Sequence, residues 1–150
     1  MYEFLLAVHI LAAVLWVGGG VTVNILGWLA RKEGGERLVS FSRQANWLAP
    51  RFYAPLALIL LLAGFLLVDE AGYELGDLFI SLALLGWLIS FVLGMAFYPS
   101  QQRKLEAAVA QDGTDAPAVG QVVDRVLQVN AAEQLILLLV VIDMAVKPGL

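Results

Sequence analysis

Cysteine is absent from this chain, which excludes disulfides, thiolate metal sites and cysteine nucleophiles. Histidine occurs once, as His9, so bis-histidine ligation within one chain is excluded too. Charge is scarce: 15% of the 150 residues are charged, against about 25% in an average soluble domain. Bases are the rarer sign, 9 Lys and Arg against 13 Asp and Glu, for a net charge of −4. That balance argues against nucleic acid as a partner, because binding it normally needs a basic patch. No nucleophile elbow, phosphate-binding glycine loop or zinc-protease helix is present. The one glycine run, Gly18-Gly19-Gly20, lies inside an apolar stretch and lacks the strand–turn–helix setting that phosphate binding requires.

What remains is apolar. Hydrophobic residues make up 61% of the chain and the mean hydropathy is +0.83, so lipid is the expected solvent. A spanning helix needs about 20 mostly apolar residues. Leu5 to Leu29, Phe52 to Val68 and Leu78 to Tyr98 meet this directly. A fourth span, from about Val129 to Lys147, carries Asn130, Glu133, Gln134 and Asp143, and is expected to turn them toward the other three helices. The expected fold is therefore all-α, one integral membrane four-helix bundle over residues 1–150. The start Met1-Tyr2-Glu3 has no base and the apolar run exceeds a signal peptide's core. The first segment is thus expected to stay in the mature protein.

Arg31, Lys32, Arg37, Arg43 and Arg51 lie in the first connection, and Arg103, Lys104 and Arg125 in the third. The second, DEAGYELGD from Asp69 to Asp77, has acids and no base. The positive-inside rule then puts the first and third connections in the cytoplasm and both termini outside. In ERLVSFSRQANWL, Leu38, Phe41, Ala45 and Leu48 recur at helical spacing, which predicts an amphipathic helix at the cytoplasmic interface.

Two groups of residues stand out. On the first helix His9, Ala13, Trp16, Gly20 and Gly27 share a stripe, with Asn24 beside it. Ala83, Gly86, Ser90 and Gly94 form a small-residue row on the third span. Such rows let helices, or a flat ligand, approach closely, and a homodimer through the glycine-bearing faces is one use of them. His9 admits three readings: a neutral imidazole hydrogen-bonded within the bundle, an axial ligand of haem b with Trp16 and Gly20 beside the macrocycle, or a copper ligand with Met144. Depth predicts a His9–Asp143 pair, since each lies about one turn inside its helix end. The second group, Asn24, Arg51, Tyr98, Asn130, Glu133 and Gln134, gathers at the cytoplasmic boundary. It reads either as an interfacial network or as a pocket with Arg51 opposite Glu133.

The stretch VHILAAVLWVGGG resembles the first helix of the copper-resistance D-like membrane proteins, and SFSRQANWLAPRFYAPLALILLLAGFLLV resembles the segment after it, ending near Ala63-Gly64. With FYPSQQRKLEA, the size and the four-span layout, the chain resembles an uncharacterised family of predicted bacterial integral membrane proteins. That resemblance implies the bacterial inner membrane. A more distant likeness is to the membrane protoporphyrinogen oxidase of haem biosynthesis, carried by His9, Trp16 and Gly18. It implies haem binding through His9 and, as an alternative activity, a haem b-dependent oxidoreductase. The lysine which that enzyme family carries inside a later span has no counterpart here before Lys147.

Overall fold

The structure is a computed structural model and describes residues 1–149. Helix α1 covers Tyr2–Glu33 and α2 covers Gly35–Leu48. A π-helical turn, Ala49–Tyr53, carries α2 into α3, Ala54–Ala71. Helix α4, Leu78–Val92, passes through a second π-turn, Leu93–Phe97, into α5, Tyr98–Asp112, and α6 covers Pro117–Val146. Four continuous helical rods result, each long and apolar enough to cross a membrane.

Both π-turns have the same cause. A proline lacks the N–H for its own helical bond, and its ring clashes with the carbonyl four residues back. Just before Pro55, the Ala54 N–H reaches back five residues to Ala49, and just before Pro99, the Tyr98 N–H reaches back to Leu93. The wider turn takes up the clash, and the helix continues instead of breaking.

The rods do not enclose one core. In the apolar half, Trp16, Val17 and Leu137 are buried against Tyr53, Leu56, Ala57, Leu60 and Trp87. Helices α3 and α4 barely meet there. Trp87 spans the gap between them, donating its indole N–H to the Ala57 carbonyl at 3.0 Å. Beyond it the rods extend into a second core built from Ala30, Leu38, Val39, Leu105, Ala116, Val119, Val123 and Leu127. The most completely buried large side chains, Leu38, Leu105, Val39 and Val119, all belong to this second core.

The amphipathic helix predicted in the first connection is present as α2, but in a different setting. It is the direct continuation of α3, and it buries Leu38 and Val39 in the second core. Two forked ion pairs tie this end together. Arg31 meets Asp124 at 2.6 and 2.9 Å, joining α1 to α6, and Arg43 meets Glu106 at 3.0 and 2.7 Å, joining α2 to α5. Eight of the nine bases sit at this end, which we call the basic end. The termini and the acidic hairpin share the opposite end, where the Met1 ammonium lies 3.8 Å from Glu70.

Candidate functional site

Helix α6 organises the polar residues because the glycine rows of two neighbours are turned toward it. A Cβ on Gly20 would lie 2.3 Å from Nε2 of Gln134, one on Gly27 would lie 2.4 Å from Leu127, and one on Gly86 would lie 2.6 Å from Val140. The rows on α1 and α4 therefore both receive side chains of α6. Gly18 and Gly94 lie outside these contacts, and a Cβ on either would meet nothing within 4 Å. Trp16 and Gly20, expected beside a cofactor, are both buried in the bundle, Trp16 in the apolar core and Gly20 beneath the Gln134 amide.

At the boundary between the two cores, hydrogen bonds run in series. Asn24 Nδ2 on α1 donates to the Leu127 carbonyl at 3.0 Å and to Asn130 Oδ1 at 2.9 Å. Asn130 Nδ2 reaches the Tyr98 hydroxyl at 3.5 Å, and Tyr98 donates to Glu133 Oε2. Glu133 is only 6% exposed. Buried Ser90 lies beside it, yet its Oγ has no hydrogen-bond partner among the described residues, and neither has Oε1 of Gln134. Tyr98 directly follows the second π-turn. The proposed opposition of Arg51 and Glu133 is not formed. Arg51 is exposed, donates to the Trp47 carbonyl at 3.1 Å and lies 4.5 Å over the Trp47 ring. An exposed guanidinium near an aromatic face keeps its water, which burial beside Glu133 would remove.

His9 lies near the other end of α1, and its partner is not Asp143. Its Nδ1–H donates to the Leu60 carbonyl of α3 at 3.1 Å. The side chain at i+4 normally shields a helical carbonyl. Here that residue is Gly64, and a Cβ on it would lie 3.2 Å from His9 Cε1. The missing side chain opens the way to Leu60. Asp143, on α6, faces the α4 side, with Oδ2 buried and unpartnered among the described residues. Similar depth on two antiparallel rods carries no information on which neighbour each side chain faces. Met144 is half-buried next to Asp143. No cluster of three or more His, Asp or Glu side chains suited to a metal forms among the described residues.

Of the six residues grouped at this depth, hydrogen bonds link Asn24, Tyr98, Asn130 and Glu133, while Arg51 and Gln134 stand outside the series. Sequence reasoning missed Ser90, which read as one more small residue in a packing row, and the Leu60 carbonyl, which no side-chain pattern reports. The Gly64 gap was the available signal for the second of these.

No curated protein matches the chain, and no solved structure does. The model of the family described as predicted integral membrane protein (DUF2269) matches residues 3–148, and the chain belongs to that family.

Proposed function

We propose that the protein is a non-catalytic transport or assembly module of the bacterial cytoplasmic membrane, and that Glu133 is its working group. The basic end faces the cytoplasm and the termini face outward, following the positive-inside rule. The observation that carries this reading is the direction of the hydrogen bonds: the Asn24, Asn130 and Tyr98 donors point in series toward one buried carboxylate. An ionisable group at membrane depth is costly and marks ion or proton pathways. Tyr98 of α5, Asn130 of α6 and Ser90 of α4 surround it, and Asn24 of α1 reaches it through Asn130. The arrangement suits a group that takes up a proton from the cytoplasmic side and returns it. Infrared difference spectra of the reconstituted protein after a pH step test this. A carboxyl band that titrates, disappears in Glu133→Gln and moves in Tyr98→Phe is expected. A spectrum unchanged by Glu133→Gln would refute the assignment.

The second reading, haem b or copper at His9, rests on the bond to Leu60. Holding the proton on Nδ1 leaves Nε2 as the unprotonated nitrogen, the form an imidazole needs to ligate iron or copper. Trp16 and Gly20 are packed inside the bundle, and a homodimer would bring a second His9 to such a group. Met144 remains the copper alternative. Purification after expression with added haem separates the readings. An absorption band lost in His9→Ala supports ligation, and a colourless protein counts against the haem form.

A further inference from the structure

On the terminal half of the bundle an apolar cleft of about 200 Å³ runs between α4 and α6, lined chiefly by Leu82, Leu85, Ile89, Leu139, Val140 and Asp143. Leu82, Leu85 and Leu139 are 41%, 54% and 57% exposed, so the cleft opens toward lipid. Antiparallel packing sets Asp143 at the level of Leu82, nearest the terminal end. Its Oδ2 is buried with no hydrogen-bond partner among the described residues.

The two side chains of suitable charge at this end, His9 and Lys147, are engaged elsewhere. His9 is bonded to Leu60 on α3. Lys147, one turn beyond Asp143, adopts left-handed backbone at φ 50° and donates to the Tyr73 hydroxyl at 2.8 Å, with Nζ 4.9 Å from the Tyr73 ring centroid. A carboxylate oxygen left without a partner at the edge of hydrocarbon is expensive. An apolar trough that ends in one anionic group is complementary to a molecule with one positive head and one apolar tail.

We propose that this cleft binds a lipophilic monoamine, its ammonium on Asp143 and its alkyl chain lying between α4 and α6. From the level of Leu82 to that of Ile89 the trough is roughly 10 Å long at 1.5 Å per helical residue. The occupant is a single-chain amine and not an amino-headgroup phospholipid. In such a lipid the ammonium lies outward of the phosphate, whereas Asp143 lies about one turn inward from the helix end. This site is independent of Glu133 and of the reading built on it.

The full-length protein in a neutral detergent tests the proposal, with n-octylamine and n-octanol as probes and the thermal unfolding midpoint as readout. Octylamine is expected to raise the midpoint in a saturable manner and octanol to leave it unchanged. Asp143→Asn is expected to weaken the amine response at least tenfold. Leu85→Trp, which keeps the carboxylate and fills the trough, is expected to do the same, and it decides the matter if the first variant does not fold. Equal responses to amine and alcohol, or an amine response retained in both variants, would overturn the proposal. So would displacement of the amine by phosphatidylethanolamine, which would make a lipid the occupant.

Discussion

Removing one hydroxyl, by Tyr98→Phe, tests how the bundle tolerates a carboxylate at its boundary. Tyr98 donates to Glu133, and the buried Ser90 hydroxyl beside that carboxylate has no partner of its own among the described residues. Hydrogen bonds to charged groups contribute about 1.5–3 kcal/mol in water-soluble proteins. Measured couplings between membrane helices average only about 0.6 and reach about 1.7 kcal/mol. The Tyr98–Glu133 coupling is expected within the range for membrane helices, about 0.6–1.7 kcal/mol. The Asn130 contact, at 3.5 Å, adds little. The assay is a cycle of Tyr98→Phe, Glu133→Gln and the double variant, unfolded in mixed lipid–detergent micelles and followed by far-UV circular dichroism. Additivity within about 0.5 kcal/mol would mean that the two side chains do not depend on each other, and the reasoning would fail.

Further outcomes are expected from the same physical picture. Gly20→Leu and Gly86→Leu force side chains into Gln134 and Val140, and each should destabilise the bundle by about 1–3 kcal/mol in the same unfolding assay, whereas Gly18→Leu, in open space, should be near neutral. Leu105→Ala opens a hole in the basic-end core and should cost about 2–5 kcal/mol, seen as loss of amide exchange protection across α2, α5 and the first half of α6. The Arg43 guanidinium holds Glu106 below the ordinary carboxylate range. Glu106 therefore binds its proton at lower pH when folded than when unfolded, so its stabilisation is present above the ordinary value and lost as pH falls through the folded one. Trp47 fluorescence should report α2 loosening over that acid window, and Arg43→Gln should flatten the profile. Asp143→Leu removes an unpartnered buried oxygen and should leave stability unchanged or higher; a clear loss would reveal a partner for Asp143.

The primary sequence settled what depends on neighbours along one helix. Four apolar runs of spanning length, their separation by charged connections and the common depth of Asn24, Tyr98, Asn130 and Glu133 follow from composition and a fixed rise per residue. The sorting of eight bases to one end follows in the same way. Tertiary packing decided which face of each rod meets which partner. It gave His9 to the Leu60 carbonyl through the gap at Gly64, left Asp143 facing the α4 side, and closed Gly20 and Gly86 over α6. It also joined an expected surface helix to α3 through the first π-turn. Depth is a one-dimensional property that a sequence carries. The rotation of each helix about its axis is set only when all the helices pack, because each face can be buried only once.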